Sequence, residues 1–162
     1  MVHAEGNSAR ETPWLTKEQQ VIWRSFLGGT TVLMDQLDRD LRNAHGLSLP
    51  EYEILVRLSE APDRSIRMAD LAEAIGHSRS RTTHTIRRLE KEGIVARFQC
   101  DSDGRGVTAI LTDAGYALLE HAAHTHVTGV HDYLVAAASS KDFEALGRIM
   151  DQLRGTLDGK SY

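Results

Sequence analysis

Arg79, Ser80, Arg81, Thr83, His84 and Arg87 fall on one face of the stretch Ser78 to Glu92 when it is wound as a helix. Guanidinium groups in such an array donate to guanine edges, hydroxyls reach phosphates, and a threonine methyl meets thymine. The chemistry implied is readout of double-stranded DNA in the major groove. Arg79, Arg81, Thr83, His84 and Arg87 are the expected base-reading residues, with Ser78, Ser80 and Arg88 expected at phosphates. A basic helix face is by itself compatible with simple solvation. Three features in one order argue otherwise: Ser78 caps the basic helix, a glycine turn at Gly76 precedes it, and a hairpin follows it.

Met68 to Ile75 reads as a short helix that Gly76 breaks, so the segment Leu71 to Leu89 has the form of a helix-turn-helix. Leu71, Ile75, Ile86 and Leu89 point inward, and Ala72 is small enough to let the two helices cross closely. Gly93 stops the second helix, and the hydrophobic period then changes. Ile94 to Cys100 and Val107 to Thr112 are strand-like runs separated by Asp101-Ser102-Asp103-Gly104-Arg105-Gly106, which predicts a hairpin. Arg105 lies between glycines in a loop thin enough to enter a minor groove. Asp103 either orients Arg105 or favours the turn.

The elements that must carry this module are long helices. Ile22, Phe26, Leu33, Leu37 and Leu41 recur at helical spacing between Lys17 and about Ala44, with Gly28 and Gly29 marking a kink or a close helix contact in the middle. Ser48, Pro50 and Glu51 form a helix start, and that helix ends before Ala61-Pro62. Thr112 caps a helix running to about Ala138, and Ser140 caps a last one with an apolar stripe from Phe143 to Leu157. The fold class is therefore mainly α with a small β-hairpin wing. Residues 1–16 are expected as a flexible tail, 17–62 and 113–159 as a helical dimerisation region, and 63–112 as the winged module. The terminal stripes are wide enough to pack on a second copy, giving a two-fold homodimer.

Composition narrows the class. The 162 residues are 41% hydrophobic and 26% charged, as in ordinary folded soluble chains. The formal net charge of −4 alone argues against binding a polyanion, but the charge is unevenly placed. His77 to Arg105 holds seven basic and four acidic residues, a local +3 against −7 for the rest. No apolar run approaches a membrane span and no secretion signal is recognised at the amino terminus, so a cytoplasmic protein without a membrane partner is expected. The single Cys100 cannot form an intrachain disulfide. There is no glycine-flanked nucleophile, phosphate loop or metal-ligand pair of enzyme spacing, so neither catalysis nor a cofactor is expected.

With LAEAIGHSRSRTTHTIRRLEKEGIV, the loop DSDGRG and the return VTAILTDAG in place, the chain resembles the MarR family of bacterial regulators over most of residues 17 to 157. LSLPEYEILVRLSEAP is similar to the helix that precedes that family's reading head. The resemblance implies a homodimeric repressor on a near-palindromic operator, released by a small aromatic or phenolic effector bound between the dimer helices and the winged module. Thr82 and Thr85 depart from the family pattern, which is usually apolar there, and His84 stands where a basic residue is common.

Relatives that sense zinc or peroxide prompt two further readings. His121, His124 and His131 share a face of the fifth helix, but His124 and His131 lie about 10 Å apart along a straight helix, too far to share one ion; His121 with His124 could supply two ligands that need others from elsewhere, and no metal site is expected. Cys100 ends a wing strand, away from the first helix where redox-sensing relatives carry their cysteine. His126 falls on the apolar stripe with Leu119, Ala122, Val127 and Val130, either as a hydrogen-bonded core residue or as a lining of the effector pocket. The alternative to DNA binding is a metal- or small-molecule-binding dimer that does not touch DNA.

Overall fold

The computed structural model describes residues 11–99 and 106–158. Cys100, Asp103, Arg105 and the first ten residues of the expected tail lie outside the described residues. The chain divides into two compact units between Val32 and Leu33. In the first, helix α1 (Lys17–His45) starts from a reciprocal cap in which the Thr16 and Gln19 backbone amides each donate to the other's side-chain oxygen, at 2.9 and 3.2 Å. Trp23 and Phe26 stack with ring centroids 5.8 Å apart, and Val21, Ile22 and Leu27 are exposed. Gly28 and Gly29 lie within one continuous helix, and a Cβ added at either meets nothing within 4 Å.

The second unit contains the rest of α1, then α2 (Leu49–Glu60), β1 (Ser65–Arg67), α3 (Met68–Ala74), α4 (Arg79–Lys91), β2 (Val95–Gln99), β3 (Val107–Leu111), α5 (Asp113–Val130) and α6 (Ser140–Asp158). Helix α2 begins with the full capping box: the Ser48 side chain accepts from the Glu51 amide while the Glu51 carboxylate accepts from the Ser48 amide. The expected hairpin is observed, with Val95 opposite Leu111 and Gln99 opposite Val107. A third strand joins it. β1 pairs antiparallel with β3, giving the order β1-β3-β2, although three residues are too few to carry a strand pattern in sequence.

One core binds these elements. Leu37 and Leu41 of α1, Ile54, Leu55 and Leu58 of α2, Leu71 of α3, Ile86 and Leu89 of α4, Val95, Ala109 and Leu111 of the sheet, and Leu119 and Ala122 of α5 are all buried together. The core thus runs across the boundaries expected at residues 63 and 112. Just before β1, Asp63 and Arg64 both adopt left-handed backbone with φ of 52°. The Arg64 side chain holds that turn against α5, stacking 4.0 Å above the Tyr116 ring and pairing with Asp113 at 3.1 Å.

Two expectations at the carboxyl end change. The fifth helix is α-helical only to Val130 and continues as a π-helical turn, His131–Val135, in which the Ala136 amide donates to the His131 carbonyl at 2.8 Å. Ser140 is the first residue of α6 and not its cap. Ser139 takes that place, its Oγ accepting from the Asp142 amide at 3.2 Å. Adjacent serines offer the same local chemistry, and the hydrogen bond alone separates them.

Helix α5 is seated on the base of the hairpin without a side chain in between. Thr112 donates its backbone N–H to the Ile94 carbonyl at 3.1 Å and caps α5 by accepting from the Gly115 amide at 3.0 Å. A Cβ built on Gly115 would lie 2.1 Å from the Ile94 carbonyl oxygen, which is backbone and cannot swing aside. Gly115→Ala is therefore expected to lower stability by roughly 3 kcal/mol in urea unfolding. A variant as stable as the parent would show that α5 does not approach the hairpin this closely.

Candidate nucleic-acid interface

The turn between α3 and α4 is built by backbone bonds that only glycine conformation permits at low cost. Gly76 has φ of 63°, and the Gly76 and His77 amides close back onto the Glu73 and Ala72 carbonyls at 3.0 Å each. Ser78 then caps α4, its Oγ accepting from the Arg81 amide at 3.3 Å. Thr82, Ile86 and Leu89 are buried at the i, i+4, i+7 spacing of one helix face. That face is fixed in the core, so Arg79, Ser80, Arg81, His84 and Arg87 are left exposed on the other side.

The threonines refine this surface. Thr82, Thr83 and Thr85 each donate their hydroxyl hydrogen to the carbonyl four residues earlier, at 3.1, 2.8 and 3.0 Å. Thr82 can be completely buried for that reason, despite standing at an inward position. Thr83, which is partly exposed, presents a methyl and an acceptor oxygen but no free donor.

The arginines fall into two groups. Among the described residues, Arg79, Arg81 and Arg87 form no ion pair, whereas Arg88 and Arg97 do. Arg97 on β2 donates through Nη2 and Nε to Glu90 of α4, at 2.6 and 2.9 Å, and this holds the Glu90 carboxyl below its ordinary pKa. The pair ties the hairpin to α4. Between them lies a cleft of about 550 Å³ whose polar lining is Arg67, Asp70, Arg79, Thr83, Arg87 and Arg97. Arg88, the residue expected at a phosphate, binds Glu51 through Nε and Glu92 through Nη1 at 2.8 Å. Neither Glu51 nor Glu90 carries a sequence signal for these pairings, because the partners come from other elements.

His126 lies apart from this surface. Its ring packs against Tyr52 with centroids 4.6 Å apart, and both line a cavity of about 480 Å³ with Val56 and Arg57 of α2 and Ile75 at the end of α3. The His126 Nδ1 is buried and has no hydrogen-bond partner among the described residues. Among the described residues no group of three or more His, Cys, Asp or Glu side chains converges as a metal site, and no helix is long and apolar enough to cross a membrane.

Comparisons with known proteins agree with this geometry. The family model described as "MarR family" matches residues 47–107. The chain is similar to Sco3205 of Streptomyces coelicolor, a MarR family transcriptional regulator crystallised in complex with DNA, at 41% identity and a TM-score of 0.86, covering 90% of this chain and 92% of that one. AbsC, a MarR family transcriptional regulator of the same organism, matches at 37% identity with a TM-score of 0.85, covering 92% and 100%. The transcriptional repressor MprA of Escherichia coli K12 is 29% identical over 115 residues, which are 71% of this chain. The matched segment spans 65% of that repressor's length.

Burial of the His126 ring holds its pKa below the ordinary imidazole value of 6.5, against a weaker opposing pull from Glu53. As pH falls below 6.5 the unfolded chain takes up a proton that the folded chain resists, so this residue makes the protein less stable towards acid. His126→Phe should remove that component. Urea unfolding at about pH 7.5 and pH 5.5 should show a smaller acid loss in the variant than in the parent, and equal losses would exclude the burial described.

Proposed function

The chain belongs to the MarR family, and from that premise we propose that it is a transcription regulator that binds double-stranded DNA sequence-specifically as a homodimer, represses from a near-palindromic operator, and is released by a small aromatic or phenolic effector. The observation that carries the reading is the exposed face of α4: Arg79, Arg81, His84 and Arg87 point to solvent while Thr82, Ile86 and Leu89 hold the opposite face in the core. Such a face reads base edges once the helix lies in the major groove, and Ser78 and Ser80 at its start reach the flanking phosphates. Arg105, with Asp103 two residues before it in sequence, extends the contact into the neighbouring minor groove.

The homodimer is supported by apolar surface on the terminal helices. Val21, Ile22, Trp23 and Phe26 of α1, and Phe143, Ile149, Leu153 and Leu157 of α6, are all exposed. Each such side chain contributes about 1.5–3 kcal/mol when fully buried, so a second copy is the economical cover. A pair of reading heads then meets a pair of half-sites. The effector reading is supported by the cavity at His126, whose volume suits a small molecule and whose wall offers the Tyr52 ring and an imidazole nitrogen with no hydrogen-bond partner among the described residues.

A mobility-shift assay on the DNA upstream of the protein's own gene tests the core of this reading. Wild-type protein should shift the fragment, and Arg79→Ala, Arg81→Ala or Arg87→Ala should each weaken binding about tenfold, with affinity falling steeply as salt rises. Arg105→Ala should weaken it likewise; unchanged affinity at physiological salt would remove the wing from the interface. Absence of any shift on palindromic DNA would favour a ligand-binding dimer that does not touch DNA. Dimerisation is tested separately by sedimentation, where Ile22→Asp with Leu153→Asp should give monomers.

A further inference from the structure

The recognition helix is gripped from the side by a buried carboxylate of α2. Building on the DNA-binding reading above, we infer that Arg88 is a positioning residue that sets the rotation of α4 about its axis, and is not itself a contact to DNA. The Glu51 side chain is 8% exposed, and both its oxygens are occupied. Oε1 accepts from Arg88 Nε, and Oε2 accepts from the Ser48 amide at 2.8 Å and the Ser48 hydroxyl at 2.7 Å. Burial alone would raise the Glu51 pKa, but the donors from Arg88 and Ser48 outweigh it and hold the group ionised. A carboxylate so enclosed needs its counter-charge, and that charge comes from a residue 37 positions away in sequence.

Swinging Arg88 out to a phosphate would leave Glu51 buried and unpaired, a larger penalty than one solvent-exposed phosphate contact returns. Arg79, Arg81 and Arg87 face no such constraint, since among the described residues they have no ion-pair partner. The position of Arg88 on the helix explains what its anchoring achieves. Arg81 lies seven residues earlier, two turns away on nearly the same line, and His84 lies four residues earlier. Apolar packing of Ile86 and Leu89 is non-directional and tolerates small rotations. A hydrogen-bonded ion pair on the flank is directional, so it determines where Arg81 and His84 point.

The test measures affinity for the operator and for scrambled DNA across a salt series, using full-length wild type, Glu51→Gln, Arg88→Met and the double variant. Glutamine keeps an acceptor for the Ser48 amide and so removes the charge while leaving the cap. Each single variant is expected to lose about tenfold in operator affinity, with scrambled-DNA affinity and the log–log salt slope unchanged. The double variant should be no worse than either single one, because both remove the same interaction. If Arg88→Met reduces the salt slope by about one while Glu51→Gln changes nothing, Arg88 is a phosphate contact and the inference fails. Equal losses on operator and scrambled DNA that follow a drop in folded fraction would also overturn it. Should Arg88→Met unfold, as judged by thermal melting, Glu51→Gln and Arg88→Lys carry the comparison: each should keep the wild-type slope and lose operator affinity. Failure of wild-type protein to bind any operator would overturn the DNA-binding reading and this inference together, whereas a changed slope with intact wild-type binding overturns this inference alone.

Discussion

A carboxylate taken out of water at the start of α2 organises this protein. Glu51 is buried, and an ion in that position persists only if every lone pair finds a donor and its charge finds a partner. The Ser48 cap satisfies one oxygen and Arg88 of α4 the other. Asp38 of α1 works alongside, accepting from the Leu49 amide at 2.8 Å and from Arg42 at 2.6 Å. The end of α1, the start of α2 and the flank of α4 are thus joined at one polar junction, next to the leucine core that buries Leu41, Leu55 and Leu89. Hydrophobic burial supplies the cohesion, and the buried charge supplies direction.

The same division of labour explains how a chain of net charge −4 can present a basic face. In the region of local positive charge, Glu90 is consumed by Arg97 and Glu92 by Arg88. Those two pairs fasten the wing to α4 and brace its carboxyl-terminal half. What remains towards solvent on the amino-terminal half of α4 is arginine, serine and histidine with no carboxylate paired to them among the described residues. Counting charges along the sequence treats all seven basic residues alike, whereas the fold separates those that hold the helix from those it displays.

Helix α2 has a second role that follows from its position. Its Glu51 holds α4, and the next residue, Tyr52, forms the wall of the His126 cavity. α5 closes the other side of that cavity while resting on the hairpin through the bare backbone at Gly115 and on α1 through Gly129, where an added Cβ would meet Leu37 at 2.9 Å. Tyr133, in the π-helical turn, donates to Asp40 of α1 at 2.9 Å. Cavity, wing and recognition helix are therefore linked by close-packed contacts with little slack.

Local chemistry written into adjacent residues was legible in the sequence alone. Ser48, Ser78 and Thr112 were recognisable as caps, Gly76 and Gly93 as stops, and the alternation after Ile94 as a hairpin, because each depends on neighbours within a few residues. The resemblance to the MarR family rested on those same local signals. Tertiary structure decided the rest. β1 is too short to announce itself and exists only because β3 offers it an edge. Arg88 looks like any other arginine on a basic helix until Glu51 is folded against it. His126 reads in sequence as a core histidine or a pocket lining, and only the meeting of α2, α3 and α5 opens a cavity beside it and leaves its Nδ1 without a partner among the described residues. The sequence determined which helices form and which residues could read DNA; long-range pairing decided which of them are held and which are free, since an ion pair or a cavity belongs to residues that meet only after folding.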